Sequence, residues 1–189
     1  MSDIEFDLHD HFLIAMPGLH DYHFDHALVY ICAHNEDGTM GIVVNRPIID
    51  VTLGEVLLQM DIEAEDGNIC NLPVYLGGPV QPERGFILHQ PNREWQSTLV
   101  TSERLAVTSS QDILQAMAIG EGPKESIVIL GYSGWGAGQL EAEIANNLWL
   151  TAPADPEILF HTPYHERWRR AVHSLGIDVN NLSDDVGHA

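Results

Sequence analysis

Ser133 stands in Gly131-Tyr132-Ser133-Gly134-Trp135, one residue short of the Gly-x-Ser-x-Gly elbow that exposes a nucleophilic serine on a sharp strand-to-helix turn. Downstream, Asp155 and His161 or His165 would complete a Ser, Asp, His order, which would make the chain a serine hydrolase. Trp135 replaces the last glycine of the elbow, and a chain with 11 histidines supplies such partners by chance, so the hydrolase is only an alternative. The wider segment from Gly131 to Gly138 follows an apolar run and precedes an amphipathic stretch, an order that presents backbone N–H groups to an anion. Its nucleotide fingerprints fail: Gln139-Leu140 follows Gly138 where a phosphate loop needs Lys and Ser or Thr, and Gln139 also replaces the last glycine of a dinucleotide pattern begun at Gly134. No cofactor is expected.

His9 and His11 form His-x-His, and His20, His23 and His26 form His-x-x-His-x-x-His with Asp21 and Asp25 between them. Zinc takes such ligands only from a rigid frame with defined distances. The segment after Met16-Pro17-Gly18 has neither helical nor strand patterning, so a solvated loop without metal is the expectation. Cys32 and Cys70 form no Cys-x-x-Cys and lie near apolar stretches, which reads as two buried free thiols. Arg167, Arg169 and Arg170 gather on the last helix, where Glu166 can pair with Arg170; a solvated face is expected, a docking patch for an acidic partner being the sharper alternative.

These residues need a frame. Leu28-Val29-Tyr30-Ile31-Cys32-Ala33 and Gly41-Ile42-Val43-Val44-Asn45 flank a turn-rich Asn35-Glu36-Asp37-Gly38 and predict a hairpin. Thr52-Leu53-Gly54-Glu55 is a capping box, and Leu53, Val56, Leu57 and Met60 line one helical face. Strands are predicted at 73–76, 86–89, 97–100 and 105–108, and a helix opens at Ser109 and ends at Gly120. Ile127-Val128-Ile129-Leu130 reads as a central strand, followed by the glycine-rich turn and a helix on Leu140, Ile144 and Leu148. A last helix starts at Thr162-Pro163 and stops at Gly176. The fold class is α+β: a β-rich mixed or antiparallel core flanked by about four helices, in one domain spanning residues 1–189 with its core at about 6–178 and mobile ends.

Composition narrows the function. Apolar residues make up 44% and charged residues 19%, a globular mixture that can bury a core. Against 28 acids stand seven Arg and one Lys, and the net charge of −20 opposes contact with nucleic acid or anionic lipid, whose phosphates demand clustered cations. No apolar run reaches membrane-span length, and three acids open the N-terminus where a secretory signal would carry bases. A cytoplasmic protein without a membrane segment is expected.

Four ordered stretches carry a resemblance: Phe12 to Leu19 (FLIAMPGL), Cys32 to Pro47 (CAHNEDGTMGIVVNRP), Gly77-Gly78-Pro79-Val80, and Leu130 to Glu141 (LGYSGWGAGQLE). Together they resemble the YqgE/AlgH family of largely uncharacterised bacterial proteins, over roughly residues 6–178. The resemblance implies a single α+β domain in the bacterial cytoplasm and a proposed regulatory role, often taken as transcriptional; it brings no established reaction. The histidines of Leu19 to His26 depart from the usual family pattern, which weakens the metal reading further.

Three of these stretches end predicted strands: Asn45-Arg46-Pro47, Gly77-Gly78-Pro79 and the Gly131 to Gly138 segment. If they meet at one sheet edge, Asn45, Arg46, Gly77, Gly78, Tyr132, Ser133, Gly134 and Trp135 form a site with one bidentate cation, free N–H groups and aromatic walls. Its ligand would be a small anion or a carboxylate-bearing peptide. The leading expectation is therefore a non-enzymatic regulatory protein that binds a ligand or a protein partner, with the Ser133 hydrolase and a DNA-binding transcriptional regulator as alternatives.

Overall fold

The computed structural model describes residues 7–19 and 21–182. Ten strands and five α-helices follow one another as β1 (His11–Ala15), β2 (Leu28–Asn35), β3 (Gly38–Val43), β4 (Pro47–Thr52), α1 (Leu53–Gln59), β5 (Pro73–Leu76), β6 (Val80–His89), β7 (Thr98–Val100), β8 (Ala106–Thr108), α2 (Gln111–Ala118), β9 (Ser126–Gly136), α3 (Gln139–Ala145), β10 (Trp149–Pro153), α4 (Pro156–Phe160) and α5 (Tyr164–Ser174). The strands run β10-β1-β2-β3-β9-β6-β8-β7 in one curled sheet, with β5 pairing β9 in parallel and β4 pairing β5. All other pairings are antiparallel. The fold is α+β, with five helices where about four were expected, and the sheet is mixed because of the β5–β9 pair.

Alternation along the strands assigns the two faces, since successive side chains point to opposite sides of a sheet. Phe12 and Ile14 of β1, Tyr30 and Cys32 of β2, and Ile127 and Ile129 of β9 enter one core, which α4 and α5 close with Ile158, Leu159, Trp168 and Val172. The alternate residues Leu13, Val29, Ile31 and Val43 meet Trp135, Leu140 and Trp149 on the opposite face. A third cluster seats α1 and α2, through Leu53, Leu57, Ile113 and Met117, on Val74, Ile87 and Val128. The curl brings distant strands together: the Tyr30 hydroxyl on β2 is hydrogen-bonded to Thr101 Oγ1, 2.6 Å away and just past β7, and donates its proton to Asp10 Oδ1 at 2.8 Å.

The main correction concerns Gly131 to Gly136. Expected as a glycine-rich turn, it is the second half of β9, which pairs with β5 and β6 over its first half and with β3 through Ser133 to Gly136. Gly131 is the crossing point, at φ +76, and a Cβ there would stand 2.6 Å from the carbonyl oxygen of Gly78. β1, β4, β10 and α4 were not foreseen. Cys32 is buried and its thiol is pushed up to about 12 by desolvation, whereas Cys70 is only half-buried, and both are free. No helix among the described residues is long and apolar enough to cross a membrane.

Candidate functional site

The three family stretches meet through their backbones. Leu76 N–H donates to the carbonyl of Arg46 at 2.8 Å, and Val43 N–H donates to that of Gly77 at 2.9 Å, so the ends of β3 and β5 are joined. Gly78, at φ +154, lies so close to β9 that a Cβ would fall 2.2 Å from the Tyr132 carbonyl oxygen. Ser133 is buried and donates its hydroxyl proton to Gly77 O at 3.0 Å, with no imidazole hydrogen-bonded to it among the described residues. That hydroxyl is a structural donor in a sealed crossing and is not presented to a substrate.

The eight predicted site residues divide accordingly. Gly77, Gly78 and Ser133 lie inside the crossing. Tyr132 packs its half-buried ring edge-on against Phe86, and Gly134 is an exposed strand residue opposite Met40. Trp135 is buried on the far face, stacked on Phe24, with its indole N–H donated to Glu143 at 2.8 Å. Only Asn45 and Arg46 open onto a cleft, of about 410 Å³.

Asn45 prolongs the β2–β3 ladder with its side chain. Its Oδ1 accepts from Leu28 N–H at 2.9 Å and its Nδ2 donates to His26 O at 2.9 Å, which fixes where the chain leaves β3. The next residue, Arg46, donates to the carbonyls of Tyr22 at 2.6 Å and Asp25 at 3.1 Å, with its guanidinium 5.9 Å from the Tyr22 ring. No acid among the described residues forms an ion pair with it, and two of its five N–H donors are used.

The opposite wall is α5, which contributes Tyr164, His165, Trp168 and Arg169. Trp168 is held by donation of its indole N–H to Ala15 O at 2.9 Å, and His26 stacks edge-on against it at 4.8 Å. Behind this wall Arg167 is buried, donating to Thr162 O at 3.0 Å and Val44 O at 2.5 Å over the Tyr75 ring. Desolvation lowers its pKa from the ordinary arginine value. Arg167 was expected on a solvated face, and the pairing of Glu166 with Arg170 does not form: the four ion pairs among the described residues all use histidine. The stripe Tyr164, Arg167, Trp168, Ala171 carried the missed signal, because its 3–4 spacing puts Arg167 on the apolar face.

The cleft thus gathers two guanidinium groups and the imidazoles of His26 and His165 around one acid, Asp25, whose Oδ1 lies 2.7 Å from His26 Nδ1. Among the described residues no group of three His, Cys, Asp or Glu side chains converges, and His20, like the acidic N-terminus, lies outside them.

Comparison with known proteins agrees with the motif reading. A family model described as AlgH-like matches residues 12–180. A UPF0301 protein of Thioalkalivibrio sulfidiphilus is 57% identical over 178 residues, covering 94% of this chain and 95% of the relative. One from Methylococcus capsulatus is 50% identical over 187 residues, covering 99% and 98%. The solution structure of the AlgH protein from Pseudomonas aeruginosa, at 48% identity, covers 96% of each chain with a TM-score of 0.79. A Corynebacterium diphtheriae protein shares the fold at 19% identity, with a TM-score of 0.68 over 87% of this chain and 85% of that one. From the four motifs to the crossing they build, and across nearly its whole length, this chain belongs to the AlgH-like family.

Proposed function

We propose that this protein is a non-enzymatic regulatory protein that binds a small, multiply charged anion in the cleft between Asn45-Arg46 and α5. The supporting observation is the local reversal of charge. A chain with 28 acids and eight bases places Arg46, Arg169, His26 and His165 around one cavity against the lone carboxylate of Asp25. The surrounding negative field repels anions elsewhere, while planar guanidinium groups receive carboxylate or phosphate oxygens in pairs. Gly77, Gly78 and Ser133 support the site from behind by fixing the crossing that carries Arg46. Regulation through a bound anion needs no contact with DNA, which the net charge opposes. We take the cytoplasm as its compartment, since two unpaired cysteines suit a reducing one.

Titration of the whole protein with citrate and with inorganic phosphate, followed by backbone amide shifts, tests this reading. Saturable shifts at Arg46 and along 164–169, weakening as salt rises, are expected. Arg169→Glu is the informative variant, because Arg169 is exposed and makes no hydrogen bond among the described residues, so its loss is expected to leave the fold intact. An absence of saturable shifts for both anions, or equal binding by the variant, overturns the proposal. Binding only to an acidic peptide would turn the site into a docking surface for a protein.

A further inference from the structure

A second cavity, of about 400 Å³, opens on the inner face of the curled sheet, away from the Arg46 cleft. Its walls come from strands far apart in the sheet order: Cys32 on β2, Met40 on β3, Arg84 and Phe86 on β6, Leu99 on β7 and Val107 on β8. The curl explains how they meet. Tyr30 and Cys32 lie on the same face of β2, and the Tyr30–Thr101 hydrogen bond ties β2 to the chain beyond β7, so the strands are clasped at Tyr30 and the cavity opens beside Cys32. The volume lies in the range of small-molecule sites, about 300–1,000 Å³, and the mouths of curled or closed sheets are a recurrent place for them.

The chemistry of the lining is one-sided. Cys32, Met40, Phe86, Leu99 and Val107 give an apolar body, and the Cys32 thiol stays protonated because burial pushes it up to about 12. Gln96, Ser97, Thr98 and Ser109 are neutral, so Arg84 is the single charged side chain on the lining. Its guanidinium sits 5.2 Å from the Phe86 ring centroid and makes no ion pair or hydrogen bond to protein among the described residues. Held over an aromatic face, exposed, and without a protein partner for its N–H groups among the described residues, it can receive a carboxylate in the two-point fashion.

We propose that this cavity is a second binding site, whose ligand is a small apolar monocarboxylate with an aliphatic or single-ring body lying on Met40, Phe86 and Val107 and its carboxylate on Arg84. One cation over an apolar floor selects a single negative charge with a greasy tail, in contrast to the charge-rich Arg46 cleft.

Octanoate is the probe, with 1-octanol as its uncharged counterpart, each titrated into the full-length protein at millimolar concentration and followed by amide and methyl shifts. Saturable shifts of Met40, Phe86, Leu99 and Val107 with octanoate are expected, with affinity lower by about tenfold or more for 1-octanol and for Arg84→Ala, the loss of one charge-assisted pair. Leu99 is 46% exposed, so Leu99→Trp fills the cavity mouth without disturbing the core and is expected to abolish binding while the fold persists. Octanoate shifts confined to the Arg46 cleft, equal binding of octanoate and octanol, unchanged affinity in Arg84→Ala, or no saturable shift at all would each overturn the proposal. Phosphate and citrate binding through Arg169 is independent of Arg84→Ala, which separates failure of this site from failure of the first.

Discussion

The Ser133 hydroxyl donates to the carbonyl oxygen of Gly77 at 3.0 Å, and that same oxygen accepts from Val43 N–H at 2.9 Å. One carbonyl therefore collects donors from β9 and β3 where the two halves of the sheet meet, and Gly78, the next residue, lies against the same segment of β9. Substitution at this junction has unequal effects. Ser133→Ala leaves Gly77 O still bonded to Val43 and is expected to cost about 1 kcal/mol. Gly78→Ala would drive a methyl to 2.2 Å from the Tyr132 carbonyl oxygen and 2.4 Å from Ser133 Oγ, at a φ of +154. It is expected to cost at least about 3 kcal/mol or to prevent folding. Urea denaturation of the two variants beside wild type checks the ranking, and a Ser133→Ala variant less stable than Gly78→Ala would refute it.

Glu143 joins two tryptophans that the sequence separates. Its Oε2 accepts the indole N–H of Trp135 at 2.8 Å and of Trp149 at 2.9 Å, and its Oε1 accepts from Gln139. Glu143→Ala would leave two largely buried indole donors without an acceptor, a loss of about 2–4 kcal/mol. Glu143→Gln keeps a carbonyl oxygen in place and should lose less than half as much. Tryptophan emission followed through denaturation reports both stability and the environment of these rings.

Several elements were legible because short-range chemistry decides them. The hairpin of β2 and β3 follows from two β-branched runs about an Asn-Glu-Asp-Gly turn, and the Thr52 to Glu55 capping box forms as the sequence indicates. β4 escaped notice because Asp50 sits at φ +61 in an irregular edge strand, which weakens its alternation. The second half of β9 was taken for a turn because of its glycines. Yet Gly131, Ser133 and Trp135 are buried while Gly134 and Gly136 are exposed, so the period of two was present in small residues that hydrophobicity does not register. Asn45 and Arg46 were singled out from their place between a strand and a proline, and both line the cleft. The wall opposite them was not, since nothing in the chain announces that α5 packs more than a hundred residues away against the end of β3.

Arg46 has a second consequence, for the segment 21–26. Its two donations to the carbonyls of Tyr22 and Asp25 tether that loop. Arg46→Lys cannot reproduce a two-pronged donor and is expected to speed amide exchange across 21–26 severalfold, with little change in exchange at β9. Exchange rates that remain unchanged in the loop would show that Asn45, through His26 and Leu28, holds it alone.

His89 sets an acid limit on stability. It is buried, its Nδ1 lies 2.8 Å from Gln90 O, and its Nε2 lies 2.7 Å from Thr108 Oγ1. The Gln90 carbonyl only accepts, so Nδ1 carries the proton and Nε2 accepts from the threonine hydroxyl, which satisfies the neutral ring completely. Burial lowers its pKa from the ordinary 6.5, partly offset by the Gln90 contact. The unfolded chain therefore takes up a proton before the folded one does. The stability due to neutral His89 is present above 6.5 and is lost as the pH falls below it, towards the depressed folded value. His161 acts in the opposite sense. Hydrogen bonds donated by the ring to the Glu125 and Glu157 carboxylates raise its pKa, so its contribution is present below the ordinary value and fades as the pH rises through the raised one. Its imidazole is exposed to solvent, and screening keeps that contribution small. Urea midpoints of wild type and His89→Gln, compared across about pH 5–8, should converge on the acid side as wild type loses its advantage. A gap between the two proteins that stays constant over that range would mean that His89 does not titrate with unfolding.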